Sequence, residues 1–358
     1  MRHPSSCAVL LLSAALACAD PVSVPQADPA REGVLDRAAS LNIYGIGGDV
    51  RAVPQMPCAT GASRQFDFWL GQWTVANAAG TDVANSRILS ALDGCAILEY
   101  WLPWAGLPGR SLNGYDAEAG VWRQTWVSAN GRPFRMSGNL GTDGVMRLTG
   151  TRLATNGWHW IDTYTWTALD ADHVVQVPQF DLPEIDLHIT GMLTYSRVPS
   201  FVEQPLGVGT RCFGGDPAEQ IRALDFTVGD WIVSAANGKV LGASSIVIDP
   251  TLSGCLLEET FTSDRGYESR AFMYFDPVEG RFHRSSVDTE GNWIELRSPD
   301  ITDDPSVLEG VEERPGADLR FRVVWEQVNA SELKQTWFAS NNDGHTWTVA
   351  RVLTFTRA

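Results

Sequence analysis

The sequence FDFWLGQWTV at residues 66–75 returns in altered form as LDFTVGDWIV at residues 224–233, 158 positions later. Two further stretches recur at almost the same spacing. They are LDGCAILE at 92–99, which returns as LSGCLLEE at 252–259, and LTYSR at 193–197, which returns as LTFTR at 353–357. A nearly constant offset from the first stretch to the last indicates one domain duplicated in tandem. We therefore predict two domains of the same fold, at 64–198 and 219–358, with a linker at 199–218.

The strand pattern within each repeat predicts the fold class. Short segments rich in β-branched and aromatic residues alternate with turn signals, and the clearest lie at 74–75, 96–101, 121–127, 146–151, 158–167, 173–177 and 187–195. Asn-Gly or Asp-Gly pairs mark hairpin turns at 130–131, 143–144, 156–157, 237–238 and 343–344. Short antiparallel strands in this rhythm are typical of an up-and-down barrel. We predict an all-β protein with two such barrels in tandem.

Composition limits the classes of partner. Hydrophobic residues make up 44% of the chain and charged residues 20%, as in a globular protein. The formal net charge is −16. Because neutralising a phosphate backbone requires clustered lysine and arginine, this charge argues against a nucleic-acid partner. It argues equally against direct docking on anionic lipid.

The beginning of the sequence indicates export. Residues 1–19 have a positive start and an apolar run that ends in small residues, which predicts a signal peptide. Cys18 follows Ala-Leu-Ala and resembles the lipidated cysteine of bacterial lipoproteins, although Ala15 stands where those proteins usually have leucine. Cleavage after Ala19 would instead release a free protein. We therefore expect a periplasmic or outer-membrane lipoprotein, or a secreted protein. The segment 20–63 is a leader rich in alanine, proline and glycine.

Four other cysteines fit an oxidising compartment. Duplication favours the disulfides Cys58–Cys95 and Cys212–Cys255, although four cysteines allow three pairings and four free buried thiols are the alternative. Structural zinc usually requires closely spaced cysteine pairs, which the sequence lacks, so we predict no metal site.

Both repeats carry a glycine and tryptophan on the first strand and an arginine at the end of the last. The residues are Gly71 and Trp73 with Arg197, and Gly229 and Trp231 with Arg357. This arrangement resembles the lipocalin and calycin superfamily, in which the tryptophan caps the closed end of the barrel and the arginine lies across it. A guanidinium over an indole face gains cation–π energy, so the pair is expected to be structural.

A longer pattern resembles bacterial lipocalin-like domains of unknown function. Their motifs read FDFW(I/L)GxW, GCxIxE, YD, WxQxWV and a closing DGxxW. The first repeat has GCAILE at 94–99, YD at 115–116 and WRQTWV at 122–127, but replaces the last Asp-Gly turn. The second reads FHRSS at 282–286 in place of WxQxW and keeps DGHTW at 343–347. The resemblance implies a fold and names no ligand.

Glu99 and Glu259 are the polar residues of greatest chemical interest, because each shares a strand face with apolar neighbours. If that face lines the barrel, each is a carboxyl group in an apolar pocket with a raised pKa, and Glu99 becomes a candidate catalytic acid–base. The alternative is an outward glutamate, or one paired with arginine. Recognised nucleophile, zinc-protease, phosphate-loop and calcium-loop motifs are absent from the sequence.

The first repeat contains nine of the fourteen tryptophans. A pocket lined by these rings would bind an apolar ligand, and dense core packing is the alternative. The predicted ligand-binding residues are Trp101, Trp104, Trp122, Trp126, Trp158, Trp160 and Tyr164. We predict no cofactor. Haem held by His188 is a weaker alternative, since some calycin barrels bind haem through one histidine.

These observations predict an exported protein that binds a small apolar or amphipathic molecule inside the first barrel. One alternative is a barrel enzyme of the isomerase, cyclase or hydratase type that uses Glu99. The other is a structural module of the cell envelope, with neither barrel holding a ligand. The sequence contains no feature that indicates the oligomeric state.

Overall fold

The computed structural model describes residues 58–201, 217–299, 306–312 and 319–358. These residues are mainly β-strand, with one described α-helix, α1 (Pro217–Arg222), and short 3-10 turns. The turns are Gly61–Arg64, Asp67–Trp69, Leu92–Gly94, Pro183–Ile185, Asp225–Thr227 and Pro250–Leu252. Among the described helices, none has both the length and the apolar character that crossing a bilayer requires.

The first half of the chain forms a closed antiparallel barrel, here called barrel 1. Each strand from β1 to β9 pairs with the next, and β11 returns to pair with β1 and β9. The strands are β1 (Gly71–Asn77), β2 (Asp82–Ala91), β3 (Ala96–Pro103), β4 (Gly109–Asp116), β5 (Val121–Ser128), β6 (Pro133–Leu140), β7 (Val145–Leu153), β8 (His159–Ala168), β9 (His173–Leu182), β10 (Leu187–Thr190) and β11 (Leu193–Arg197).

The second half repeats this topology as barrel 2, a closed ring in which β21 pairs with both β20 and β12. The strands are β12 (Gly229–Ala235), β13 (Val240–Ile248), β14 (Leu256–Ser263), β15 (Glu268–Asp276), β16 (Arg281–Asp288), β17 (Trp293–Arg297), β18 (Val307–Glu312), β19 (Leu319–Asn329), β20 (Glu332–Ser340) and β21 (Thr348–Arg357). The predicted fold class, two tandem antiparallel barrels, is therefore confirmed.

The last predicted strand of the first repeat, 187–195, is in fact two strands. β10 and β11 lie one after the other along the same edge of β9, and Gly191 separates them. The N–H of Gly191 donates to the carbonyl of Pro178 at 2.8 Å. Because both pieces pair with β9, barrel 1 has ten strand positions in its ring, the same number as barrel 2 within the described residues.

The Asn-Gly pairs form hairpin turns with positive φ at the glycine alone. Gly131 has φ of 73°, and its N–H donates to the carbonyl of Ser128 at 2.8 Å. The Oδ1 atom of Asn130 accepts from the N–H of Arg132 at 3.1 Å. This is a type I turn followed by a left-handed glycine, and Asn237-Gly238 repeats it.

An arginine lies across a tryptophan at one end of each barrel. The guanidinium of Arg197 is 4.2 Å from the centre of the Trp73 ring, and its Nη1 donates to the carbonyl of Leu70 at 2.7 Å. A Cβ on Gly71, which has φ of 141°, would lie 2.2 Å from that nitrogen. Glycine is therefore required for the arginine to approach the backbone. Arg357 lies 4.4 Å from the Trp231 ring in barrel 2.

The Cys58–Cys95 disulfide is present, which confirms that pairing. It joins the residues ahead of β1 to the start of β3. Cys255 is also disulfide-bonded, and Cys212, its predicted partner, lies outside the described residues. Residues 1–19 and the lipidation candidate Cys18 lie outside them as well.

The two barrels pack side by side through the outer faces of β3–β5 and β14–β16. Leu98, Leu112, Phe272 and Tyr274 belong to one buried cluster that both barrels share. Between the barrels the hydroxyl of Thr125 also donates to that of Ser285 at 2.8 Å. β4 and β15 are consequently buried on both faces.

Two of the contacts between the barrels are equivalent when the two halves are exchanged. Cys95 Sγ lies 3.3 Å from the carbonyl oxygen of Thr289, and Cys255 Sγ lies 3.3 Å from that of Ala129. A disulfide sulfur has no proton to donate, so these are close contacts and not hydrogen bonds. The same patch of each repeat meets its counterpart, as in the interface of a twofold-symmetric dimer.

Candidate functional site

Barrel 1 contains a cavity of about 210 Å³ with Glu99 in its wall. Glu99 projects inward because it lies on the same face of β3 as Ile97 and Trp101, both of which pack into the barrel core. The other lining residues are Trp101, Gln124, Trp126, Phe134, Met136, Tyr164, Gln176, Pro178, Phe180, Leu193 and Tyr195. Six of the twelve lining residues are therefore aromatic, and the lining contains one carboxyl group and no basic residue.

Glu99 is 3% exposed and accepts hydrogen bonds from two serine hydroxyls. Ser86 Oγ lies 3.2 Å from Oε1, and Ser111 Oγ lies 3.1 Å from Oε2. Burial raises the pKa of Glu99 to about 7, against the opposing effects of the two serines and of the more distant Arg110 guanidinium. A carboxyl group with this pKa exists in both protonation states near neutral pH, so it can hold or exchange a proton.

A chain of amide and hydroxyl groups supports Glu99 from the neighbouring strands. Gln124 Nε2 donates to Asn113 Oδ1 at 2.6 Å, and Asn113 Nδ2 donates to Ser111 Oγ at 2.9 Å. All three side chains are buried and lie on the inner faces of β4 and β5. The chain orients the Ser111 hydroxyl toward Glu99, which fixes the position of the carboxyl group in the cavity wall.

A packed group of rings fills barrel 1 next to the cavity. Phe66 stacks on Trp69 with ring centres 4.9 Å apart and meets Trp122 and Trp166 edge-on. Trp122 is 1% exposed, and its indole N–H donates to the carbonyl of Ala62 at 3.2 Å. These rings are core, so the aromatic content of the first repeat divides between a packed plug and a lined cavity.

An ion pair between a partly buried arginine and a buried aspartate lies beside the cavity. Arg152 Nε is 2.6 Å from Asp162 Oδ2, and the guanidinium lies over the rings of Phe134 and Trp160 at 4.9 and 5.2 Å. Because Asp162 already neutralises Arg152, this arginine adds little net charge to the cavity. Burial raises the pKa of Asp162, and the Arg152 pair opposes that effect.

Barrel 2 has an ion pair where barrel 1 has its cavity. Glu259 takes the position of Glu99, and Arg284 takes that of Gln124, each 160 residues later. Arg284 Nη2 lies 2.9 Å from Glu259 Oε2, and both side chains are buried. Trp337 is also buried, on the strand that corresponds to β9, where barrel 1 has Pro178. A cavity beside Arg284 measures about 10 Å³, roughly the space of one water molecule.

The structure places the predicted ligand-binding residues in several environments. Trp101, Trp126 and Tyr164 line the cavity. Trp122 lies in the core plug instead, Trp104 is 51% exposed on the loop after β3, and Trp160 packs under Arg152. Trp158 lies just before β8 and is half-buried. The parity of a strand gives the face of a ring but not its depth in the barrel, which explains the different positions of Trp122 and Trp126.

Sequence reasoning missed several lining residues, among them Gln124, Gln176 and Tyr195. Gln124 lies between Trp122 and Trp126 with the same parity, so the WRQTWV motif contained the signal. Tyr195 lies two residues before Arg197 on the same face of the closing strand, and its hydroxyl donates to Gln176 Oε1 at 3.2 Å. Gln176 is matched by Gln335 in the second repeat, so its recurrence was a signal in the sequence.

His188, the haem candidate, is exposed and lies outside the cavity lining. Its Nδ1 is 2.6 Å from Asp181 Oδ1, and its Nε2 is 3.2 Å from Asp186 Oδ1. These two carboxylates raise the pKa of His188.

A group of possible metal ligands lies between the barrels. Asp276, Glu279 and His283 place ligand atoms within 4.8 Å of one another. However, Arg135 of barrel 1 pairs with Glu279, and its Nη1 lies 3.0 Å from His283 Nδ1. Since arginine can only donate, Nδ1 accepts and the imidazole is neutral. The guanidinium already supplies the positive charge here, so we interpret this group as part of the interface.

No protein-family model and no curated protein matches the sequence. A solved structure of a protein of unknown function from the DUF3598 family of Nostoc punctiforme aligns over 84% of this chain and 100% of its own, with 11% identity and a TM-score of 0.18. The tail fibre of Staphylococcus aureus phage P68 aligns over 84% of this chain and 94% of its own, with 7% identity and a TM-score of 0.11. At these scores neither resemblance carries an argument, and the fold rests on the topology described above.

Proposed function

We propose that the protein binds a small apolar or amphipathic molecule inside barrel 1, and that barrel 2 serves as its structural partner. The observation that supports this proposal is the 210 Å³ aromatic cavity with Glu99 in its wall. An apolar cavity of about 150 Å³ is large enough for benzene, so barrel 1 has room for a ring with a short substituent. Barrel 2 is assigned the structural role because Arg284 and Trp337 are buried at the positions equivalent to Gln124 and Pro178 of the cavity wall.

Native mass spectrometry of the mature protein from its own host tests this function. We expect a reproducible added mass that denaturation removes. Pro178→Trp copies the residue that barrel 2 has at this position and should fill the cavity and abolish the added mass. Trp104→Ala, at an exposed ring outside the cavity, is the matched control and should retain it. A clean apo mass, together with no binding of added apolar probes, would refute the proposal.

A second candidate function is acid–base catalysis in the same cavity. The observation that favours it is a buried carboxyl group whose burial raises its pKa to about 7. An isomerase, cyclase or hydratase would use Glu99 to move a proton on a bound carbon or oxygen. Incubation of the co-purified molecule with the protein in D₂O should then give deuterium incorporation or a changed product. Glu99→Gln should stop that reaction, and an unchanged rate in this variant would exclude the role.

We further propose that the protein is exported, with Cys18 as a lipid attachment site. The Cys58–Cys95 disulfide supports an oxidising compartment. The intact mass of the mature protein distinguishes the two forms, because a lipoprotein begins at a modified Cys18 and a secreted form begins at Asp20. The paired tryptophan and arginine in each barrel support membership of a lipocalin-like family, although lipocalins have eight strands and each ring here has ten.

A further inference from the structure

We propose that the ligand of barrel 1 is a small cationic amine with an apolar body, bound with its ammonium group against Glu99 and its body among the aromatic rings. This inference rests on the proposed function and names the chemical class of the ligand. It begins with the charge of the cavity. Glu99 is the only carboxyl group among the lining residues, and none of them is basic.

The rings that surround Glu99 fit a cation better than an anion. Each ring has a negative face, and several such faces around one space attract an ammonium group. Six aromatic residues line the cavity: Trp101, Trp126, Phe134, Tyr164, Phe180 and Tyr195. An anionic ligand would face these rings and a carboxyl group with no basic partner in the wall, so its burial would be strongly unfavourable.

In barrel 2 the equivalent carboxyl group binds a cation. In the duplicate, the equivalent Glu259 binds the guanidinium of Arg284 through Nη2 at 2.9 Å and Nε at 3.3 Å. Ser244 also donates to Glu259 at 3.4 Å, as Ser86 does to Glu99. Replacing the arginine by Gln124 in barrel 1 removes the internal cation but keeps the glutamate and its serine. Gln124 and Glu99 both line the cavity, so a ligand amine placed between them would restore the missing charge.

None of the residues that line the cavity supplies a positive charge to Glu99. Arg110 is the nearest arginine to affect it, but the Arg110 side chain points to the opposite face of β4, where its Nε is 2.9 Å from Asp249 Oδ2. Ser86 and Ser111 can donate to an ionised carboxylate. Tyr164 and Tyr195 stay protonated, because burial raises the pKa of each phenol. When Glu99 is ionised, none of the lining residues can balance its charge, and a bound cation would do so.

Three probes of similar size and different charge test the inference by isothermal titration calorimetry at pH 8. They are 2-phenylethylamine, 2-phenylethanol and 3-phenylpropanoate. We expect the amine to bind at least tenfold more tightly than the alcohol, and the carboxylate to bind most weakly. Glu99→Gln should weaken amine binding by roughly 10- to 100-fold, the usual effect of a charged hydrogen bond. Binding of the alcohol to this variant should change by less than about threefold, because glutamine preserves shape and polarity.

The outcomes separate this inference from the proposed function. Alcohol binding that equals or exceeds amine binding would overturn the amine inference and leave a ligand-binding barrel. Amine binding that Glu99→Gln leaves unchanged would overturn it too, and the retained alcohol binding shows that the variant is folded. Failure of all three probes to bind would overturn the amine inference, because the cavity should admit a phenethyl group. Together with a clean apo mass, it would refute the proposed function as well. Trp104→Ala serves as the control and should bind as the wild type does.

Discussion

Replacing Glu99 by glutamine should make the protein more stable at alkaline pH. The ordinary pKa of this carboxyl group is 4.5, and burial raises it to about 7 in the folded protein. The folded state therefore holds a proton that the unfolded state releases. This contribution to stability is fully present below pH 4.5 and is lost as pH rises through 7. The cost of ionisation is about 1 kcal/mol at pH 5 and about 3 kcal/mol at pH 8. Glutamine stays neutral and avoids this cost.

Urea unfolding at both pH values, followed by tryptophan fluorescence, measures the difference. We expect the stability of Glu99→Gln relative to wild type to rise by about 2 kcal/mol between pH 5 and pH 8. Other titrating groups, including Asp162 and the tyrosines near the cavity, are common to both proteins and cancel in the comparison. Asp82→Asn removes an exposed carboxylate and should show no such rise. A stability difference that does not change with pH would refute the argument that burial controls this carboxyl group.

Three further changes test the structure. Arg284→Gln leaves Glu259 buried without its ion-pair partner and should destabilise barrel 2 by about 3–5 kcal/mol, seen as a lower urea midpoint; the double variant with Glu259→Gln should recover most of the loss. Arg197→Ala removes the guanidinium from the Trp73 ring and its carbonyl bond, and should lower stability by about 1–3 kcal/mol, whereas an unchanged melting temperature would contradict a structural role. Reduction of the Cys58 disulfide, which closes a separation of 37 residues, should cost about 2–4 kcal/mol. A Cys58→Ala variant should lose this part of the effect of reductant and keep only the part due to the Cys255 disulfide.

Much of the fold could be predicted because the sequence contains the same domain twice, as a tandem repeat. The recurring FDFWLGQWTV stretch and the closing LTYSR gave the two ends of each barrel, which meet where Trp73 pairs with Arg197. β4 was missed because barrel 2 covers its outer face, so the strand GRSLNGYD is buried on both sides and lacks the alternation of a half-buried strand. Packing between domains is not encoded in the period of a single strand.

The inward orientation of Glu99 could be predicted from the sequence, but the open space beside it could not. The neighbours of Glu99 on β3 indicated an inward side chain, and the aromatic excess indicated the first repeat. However, the open space depends on residues that are small or neutral in barrel 1 and large or charged in barrel 2, such as Gln124 against Arg284. That Gln124 leaves Glu99 without an internal cation becomes clear only by comparison with Arg284 in barrel 2.

Joining the two barrels in one chain has a consequence for how they can diverge. In a dimer of identical chains, any substitution inside one barrel appears in both, and association weakens on dilution. Here the contact around Thr125 and Ser285 is intramolecular, so a high effective concentration maintains it. Barrel 1 can therefore lose some internal packing and keep an open cavity. Barrel 2, which keeps its buried ion pair, stabilises barrel 1 through the contact between them. Gene duplication with fusion would thus permit a division of labour that a symmetric homodimer cannot achieve.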